Sequence, residues 1–327
     1  MTLGVRLLRP PEAEAVARLQ SLLDPGVRLT LGAEPGPPGG DDILVAGRPG
    51  REDLAASPAL RALVVPWAGI SQETRSLVAE FPQIAVHNLH HNAAPVAEMA
   101  AALLLAAAKL VVPMDRSLRA GDWTPRYRPS PAVLLDGKTV LILGYGAIGR
   151  RAAAICRGLG MVVLATRRHP PHSAEPDNPD QVFPPEALPK LLTRAAALLI
   201  CLPHTPETDG LIGRAELAAL PAGAVLVNVG RGQIVDEAAL YQALRDGQLH
   251  AAGLDVWYNY PAGEDARKHT PPSAYPFHEL ENVVMSPHRA GSTREIETLR
   301  MAHLAALLNA AARGEPMPNR VDLKAGY

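Results

Sequence analysis

The stretch KTVLILGYGAIGRRAAAICRGLG, Lys138–Gly160, sets an apolar run directly before a glycine-rich turn and an alanine-rich segment directly after it. Gly144, Gly146 and Gly149 fall in a G-x-G-x-x-G spacing. Between a strand and a helix, that spacing suits a turn that cradles a dinucleotide pyrophosphate. Gly144 permits the tight turn, Gly146 lets the backbone approach the phosphates, and Gly149 lets the helix pack closely on the strand. A helix opening near Ala147 points its free N–H groups at the anion. The alternative is a tight turn without a ligand; the strand before it and the helix after it count against that.

The same rhythm extends in both directions. Downstream, VVLATR, ALLICLP, AVLVNVG, HAAGLDV and NVVMSP read as strands separated by amphipathic stretches, and a last helix is expected from about Thr293 to Arg313. Upstream, GVRLLRP, VRLTLG, DDILVAG and ALRALVVP read as strands, with a helix from about Glu12 to Leu23 and Pro/Gly-rich turns such as PGPPGG. This first block ends near VAEMAAALLLAAAK, a strongly helical segment, and Pro129–Ala132 reads as a linker. Short apolar runs alternating with amphipathic ones predict an α/β fold with parallel sheets. There is no internal repeat, low-complexity tract or long charge run.

Composition narrows the function classes. The chain has 327 residues, room for two domains, with 47% hydrophobic and 20% charged residues and a net charge of -1. That balance gives no reason to expect nucleic acid or an anionic membrane as partner. The apolar stretch Met99–Ala108 is too short to span a bilayer. The opening MTLGVRLLRP lacks the basic start and apolar run of a signal peptide, so a cytoplasmic location is expected. Cys156 and Cys201 read as small reduced core residues, and His87, His90 and His91 as a polar turn with no accompanying metal-ligand pattern. No metal is expected.

The second strand of the glycine-turn block bears on which dinucleotide fits. An acid at its end normally accepts the adenosine ribose hydroxyls. Here VVLATRRH ends without one, and Thr166, Arg167 and Arg168 occupy the corner. Two guanidinium groups and a hydroxyl suit a ribose 2′-phosphate, which arginine meets in a bidentate fork. The expectation is NADP, with NAD as the less favoured cofactor. Two solvated surface arginines are the alternative.

Beyond this corner the motifs Val96-Ala-Glu98, Leu135-Asp-Gly-Lys-Thr139, the glycine turn, Leu202-Pro-His-Thr-Pro-Glu-Thr208, Asn228-Val-Gly-Arg-Gly232, Gly253-Leu-Asp255 and Ser286-Pro-His288 stand in order along nearly the whole chain. Together they resemble the D-isomer-specific 2-hydroxyacid dehydrogenases. The resemblance implies two flavodoxin- or Rossmann-like α/β domains with parallel sheets and an active site in the interdomain cleft. The implied substrate domain is residues 1–98 plus 293–327, the implied dinucleotide-binding domain residues 99–292, and the implied assembly a homodimer. The implied activity is an NADP-dependent 2-hydroxyacid dehydrogenase, mainly reducing a small 2-oxo acid of the glyoxylate or hydroxypyruvate type. Arg231 resembles the family's substrate arginine and His288 its acid/base; taken singly, either would pass for a surface ion-pair partner or a loop histidine. Trp67, Ala68 and Gly69 fall where the family holds the substrate carboxylate on backbone N–H groups, although a plain turn after a buried strand reads the same way. Asp255 resembles the acid that receives the nicotinamide carboxamide, and Leu202 and Pro203 the residues beside the nicotinamide ribose. Val96, Tyr145, Ile148, Thr208, Val229, Gly230 and Gly291 complete the implied cofactor contacts.

One position departs from the family pattern. A glutamate usually stands before the proline of the motif after Asp255 and hydrogen-bonds the catalytic histidine; here Tyr260 precedes Pro261. A phenol can orient an imidazole but does not stabilise an imidazolium as a carboxylate does. Glu264 and Asp265, just downstream, could substitute in space. Two further readings follow: formate-dehydrogenase-like oxidation, which needs no proton transfer to a carbonyl oxygen, or a nicotinamide-responsive interaction protein with little turnover. Retention of both Arg231 and His288 counts against the latter.

Overall fold

The computed structural model describes residues 2–32, 34, 40–170 and 181–323. Of the expected PGPPGG turn, all but Gly40 lies outside them. In chain order the elements begin β1 (Leu3–Leu7), α1 (Ala13–Leu22), β2 (Val27–Leu31), β3 (Ile43–Val45), α2 (Arg51–Ala55), β4 (Ala62–Val65), α3 (Gln72–Val78) and β5 (Ala85–Asn88). Then come α4 (Ala93–Ala108), α5 (Val111–Arg119), β6 (Thr139–Leu143), α6 (Ala147–Gly158), β7 (Val162–Thr166), β8 (Gln181–Phe183), α7 (Leu188–Leu192), β9 (Ala197–Ile200) and α8 (Arg214–Ala219). The chain closes with β10 (Ala224–Asn228), α9 (Glu237–Arg245), β11 (Leu249–Leu254), β12 (Val283–Met285) and α10 (Ile296–Ala312). No single described helix is long and apolar enough to cross a membrane.

The elements form two compact units, residues 1–92 with 292–327, and residues 93–291. The sequence places the first change of unit at 98–99, inside a helix; in the structure it falls at 92–93, where α4 begins, so the whole helix belongs to the second unit. The reason is packing. Val96, Ala97, Ala100, Leu103 and Leu104 of α4 are buried in one cluster with β6 and α6. Gly253 of β11 makes the approach close: a Cβ there would stand 2.7 Å from that of Leu103.

The second unit carries a seven-stranded parallel sheet in the order β12-β11-β10-β9-β6-β7-β8. Chain progression reverses between β6 and β9, and ligands of open α/β sheets bind at the carboxyl ends of strands flanking such a reversal. Val140, Leu141, Ile142 and Leu143 of the central β6 are fully buried. Each is worth about 1.5–3 kcal/mol of burial, and a strand covered on both faces reads as an unbroken apolar run rather than an alternating one. The first unit has a five-stranded parallel sheet, β2-β1-β3-β4-β5, with α10 packed on α1 and its Met301, Leu304 and Leu308 buried among Leu3, Val5 and Leu19.

Two local expectations need correction, for His87 and Cys201. His87 is not in a polar turn but on β5, its Nδ1 2.8 Å from the Pro318 carbonyl oxygen. The helical segment expected up to Lys109 is α4, which ends at Ala108; Leu110 then adopts a left-handed φ of 52°, and a further helix, α5, starts at Val111, bent 67° from α4. Pro113 explains the break, because its ring excludes the carbonyl of Lys109 from a continuing helix yet is tolerated in a first turn. Cys201 lies just past the end of β9, not within it, and both it and Cys156 are free thiols.

Candidate functional site

The glycine turn follows β6 directly. Gly144 has φ +94°, and its N–H and that of Tyr145 donate to the Thr166 carbonyl at 3.2 and 2.9 Å. A Cβ on Gly149 would stand 2.1 Å from the Gly144 carbonyl oxygen, so α6 can lie against β6 only with glycine there. A Cβ on Gly146 would meet nothing within 4 Å, and α6 opens at Ala147 with no side-chain cap. The turn therefore presents open space and uncapped N–H groups, including those of Ala147 and Ile148, at the positive end of a twelve-residue helix. These residues could hold a pyrophosphate. Thr166 ends β7 in register with Leu143, and Arg167 and Arg168 follow it exposed, so the arginine corner adjoins the turn.

Residues at the ends of the strands beyond the reversal gather separately. After β9, the Thr208 hydroxyl donates to the Pro203 carbonyl at 2.8 Å and accepts from Thr205 N–H at 2.8 Å. That hydroxyl is engaged within the 202–208 loop it shapes. After β10, the Asn228 side chain accepts from Gly230 N–H at 3.0 Å and donates to the Arg231 carbonyl at 2.9 Å, fixing the turn that carries Val229 and Arg231. Gly230 and Gly232 admit close neighbours: Cβ atoms there would stand 2.6 Å from the Leu202 carbonyl oxygen and 2.4 Å from that of Trp257. Arg231 donates from Nη1 to the Gly230 carbonyl at 2.7 Å, which leaves Nε and Nη2. Val96 sits buried in the core cluster, and Gly291 closes the unit.

His288 sits past β12 with φ +55°, a conformation that costs a non-glycine residue about 1–3 kcal/mol. The fully buried Asp255 carboxylate holds this loop. Its Oδ1 accepts from the Ser286 hydroxyl at 2.5 Å and from Arg289 N–H at 2.8 Å, and its Oδ2 from Ala290 N–H at 3.0 Å. Hydrogen bonds to a charged group contribute about 1.5–3 kcal/mol each, so three of them outweigh the strain. The Trp257 indole adds a bond to the Ser286 carbonyl at 2.8 Å.

Tyr260 meets His288 directly. Its hydroxyl lies 2.9 Å from Nδ1 and accepts from Trp257 N–H at 3.2 Å. The downstream acids do not take this role: Glu264 pairs with Arg267 at 2.6 Å. Burial lowers the His288 pKa below its ordinary value, the Arg231 guanidinium lowers it further, and Asp255 opposes them. Burial raises the Tyr260 pKa, so the phenol stays neutral at physiological pH. Arg231, Tyr260, Asp255 and His288 thus form one electrostatically coupled group. Asn228 and Ser286, which position its members, open two of the motifs but carry no sequence sign of that role, and Trp257 lies two residues past the motif ending at Asp255.

Trp67, Ala68 and Gly69 belong to the first unit, in the turn after β4. Asn88 donates to the Ala68 carbonyl at 2.7 Å, and among the described residues the N–H groups of Ala68 and Gly69 have no acceptor.

Comparison with known proteins agrees with this geometry. Residues 101–290 match the family model described as D-isomer specific 2-hydroxyacid dehydrogenase, NAD binding domain. A glyoxylate reductase of Aeropyrum pernix is 40% identical over 233 residues, 69% of this chain and 65% of that protein. A D-3-phosphoglycerate dehydrogenase of Mycobacterium leprae is 33% identical over 275 residues, 84% of this chain and 49% of that protein. The chain thus spans about half to two thirds of the length of these relatives. Among solved structures, a D-isomer specific 2-hydroxyacid dehydrogenase from Xanthobacter autotrophicus Py2, in complex with NADPH and MES, superposes with a TM-score of 0.80 at 27% identity, with all of both chains covered. The family match spans the glycine turn and every strand end that carries Arg231, Asp255 and His288, and it shows that the chain belongs to the D-isomer-specific 2-hydroxyacid dehydrogenase family.

Proposed function

We propose that this chain is an NADP-dependent 2-hydroxyacid dehydrogenase that works mainly as a reductase of a 2-oxo acid. The observation that carries the reading is the coupled group of Arg231, His288 and Tyr260 at strand ends of the sheet that also bears the glycine turn. Names of relatives support it, glyoxylate reductases among them, as does the NADPH in the Xanthobacter structure. The arginine corner, without an acid, supports NADP over NAD.

The glycine turn and the arginine corner would hold the dinucleotide, whose nicotinamide would supply the hydride chemistry at C2 of the substrate. The chain's own groups do the rest. The Nε and Nη2 groups of Arg231 grip the carboxylate and polarise the carbonyl oxygen; the Ala68 and Gly69 N–H groups of the first unit are donors suited to a carboxylate as well. Because Nδ1 of His288 is taken by Tyr260, Nε2 is the nitrogen that gives its proton to the carbonyl oxygen. In the imidazolium, Nδ1–H donates to the phenol oxygen. Once Nε2 has given up its proton, the neutral ring keeps Nδ1–H, which still donates to the phenol oxygen. Tyr260 therefore orients the ring in both states without adding a charge.

The sign of the pH dependence follows. Reduction needs the imidazolium, so activity is present below the His288 pKa and lost as pH rises through it. That pKa lies below the ordinary histidine value. A Tyr260→Glu variant puts a carboxylate beside Nδ1 and should move the alkaline limb of the reduction profile up by about 1–3 pH units. An unmoved limb would show that the pair does not govern the step.

The test of the reaction itself is purified protein with NADPH, then NADH, against glyoxylate, hydroxypyruvate and pyruvate, and with the oxidised cofactors NADP+ and NAD+ against formate. Faster oxidation of NADPH by any 2-oxo acid supports the whole reading. Oxidation of NADH alone removes the cofactor preference. Silence with all the 2-oxo acids beside formate-driven reduction of the cofactor replaces 2-oxo acid chemistry with formate oxidation. Silence throughout, with the cofactor tightly bound, leaves the interaction-protein reading.

The same reading includes a homodimer. Val111, Val112, Leu118, Trp123, Tyr127 and Leu134 are all exposed within one short stretch of the second unit. Clustered apolar residues of this size mark an association surface. Light scattering on the eluted protein should give twice the chain mass, and Leu118→Glu with Trp123→Glu should halve it.

A further inference from the structure

Beyond β11 the chain leaves the sheet of the second unit and rejoins it only at β12, and Tyr260, the partner of His288, stands near the start of this excursion. The loop is closed at its base. The N–H groups of Tyr258 and Asn259 both donate to the Pro272 carbonyl, at 3.2 and 3.0 Å. Tyr260 is therefore the next residue out from the closure.

Both sides of the closure hang from residues 235–237, at the start of α9. On the outgoing side the Tyr258 hydroxyl donates to the Val235 carbonyl at 2.9 Å. Burial, reinforced by the Glu237 and Asp236 charges, raises the Tyr258 pKa, so this phenol keeps its proton and remains a donor. On the returning side Oε1 of Glu237 accepts from the Ser273 hydroxyl at 2.6 Å and from Ala274 N–H at 2.8 Å. Hydrogen bonds to a carboxylate are shorter and about twice as strong as neutral ones. Asp236 caps α9 by accepting from Ala239 N–H at 2.7 Å, so the anchor stands on a fixed helix start. One turn on, Tyr241 packs on Tyr275 and Phe277, with ring centroids 5.2 and 5.4 Å apart, and seats the returning chain on the same helix face.

We propose that Glu237 is a positioning residue for proton transfer: by holding Ser273 and Ala274 on α9 it fixes the base from which Tyr260 reaches His288. The proposal rests on the dehydrogenase reading above and adds to it a residue outside the reacting group. The path is short. It runs from the Glu237 carboxylate to Ser273, from the Pro272 carbonyl to Asn259, and from the Tyr260 hydroxyl to Nδ1. Each step is a hydrogen bond or a single peptide link. The hold on Nδ1 sets where Nε2 points, and a small misplacement of a reacting group costs rate.

Glu237→Ala should lower kcat for 2-oxo acid reduction about tenfold, as a reacting group out of place does, with KM and cofactor Kd kept within about twofold. Glu237→Gln should recover most of the rate, because its amide oxygen can accept both bonds. In a Tyr260→Phe background, where the hydroxyl contact is already gone, Glu237→Ala should cost less than about twofold more. An equal loss with and without that hydroxyl means that Glu237 supports only the fold, and overturns the proposal. Where Glu237→Ala fails to fold, Ser273→Ala removes one of the two bonds and should give a smaller loss of the same kind; no loss overturns the proposal.

The imidazole Cε1–H resonance of His288, identified by its disappearance in His288→Asn, gives a readout that needs no turnover. A loop freed from its anchor covers the ring less, and burial is the main cause of the lowered His288 pKa. Glu237→Ala should therefore raise that pKa toward its ordinary value, and Glu237→Gln should not. This shift without reduction of any 2-oxo acid would remove the dehydrogenase reading and keep the positioning role. Reduction of 2-oxo acids with the titration of His288 unchanged in Glu237→Ala would remove the positioning role alone.

Discussion

Replacing His288 with asparagine is expected to lower kcat for 2-oxo acid reduction by ~10²–10⁴-fold, the usual contribution of a positioned general acid. Asparagine suits the test because the position is left-handed, φ +55°, and asparagine tolerates that region better than most residues. The loop should therefore keep its shape, since Asp255 holds it through the Ser286 hydroxyl and the N–H groups of Arg289 and Ala290. The glycine turn lies elsewhere on the sheet, so the cofactor Kd should stay within about twofold, because sites without shared partners behave additively. The variant should also lose the alkaline limb of the pH profile, as the titrating imidazole is gone. A kcat within a few-fold of the parent, with the limb intact, would mean that another group supplies the proton. A weakened cofactor Kd would instead point to a collapsed loop, which circular dichroism and thermal unfolding of the same preparation would reveal.

What the sequence made legible follows from how local the cause is. Strand β6 and the turn after it could be read because a doubly covered strand is apolar throughout and the three glycines are spaced by backbone geometry alone. Strand β5 was not readable as AVHN, with two polar residues in four. Both are buried, and their partners are the Pro318 and Ala68 carbonyls, far away in the chain. Strand β8 escaped notice because it is an edge strand with no fully buried residue, so QVF forms no apolar run, whereas the equally short β3 and β12 are apolar throughout. The break between α4 and α5 had a signal in Pro113, masked by the apolar residues on either side. At the site, motif order located Arg231, His288 and Asp255. That Asp255 pins the loop of His288 depends on contacts across 31 to 35 positions, which spacing within a motif cannot reveal. The pairing of Tyr260 with His288 was an expectation from a missing glutamate, and the 2.9 Å contact gives it a geometry.

Arg231→Gln should produce the second large loss, ~10²–10³-fold in kcat/KM, the scale seen when one preorganised donor to a developing oxyanion is removed. Glutamine keeps a donor but neither the charge nor the fork. Arg231→Lys, which keeps the charge alone, should recover only part of the activity, because an ammonium cannot make two parallel bonds to a carboxylate. The informative readout is the pH profile. Arg231 is one of the groups that lower the His288 pKa. Its removal should therefore raise that pKa and extend the residual reduction activity to higher pH, even as the rate falls. Tyr260→Glu should shift the limb the same way without this loss of substrate grip. The two substitutions together should shift the limb further than either alone if both groups act directly on the imidazole. If Arg231→Gln loses activity with the limb unmoved, the arginine binds substrate but sits outside the electrostatic group that sets the proton donor. If the limb moves while kcat/KM is retained, Arg231 tunes His288 only, and another cation must hold the substrate carboxylate.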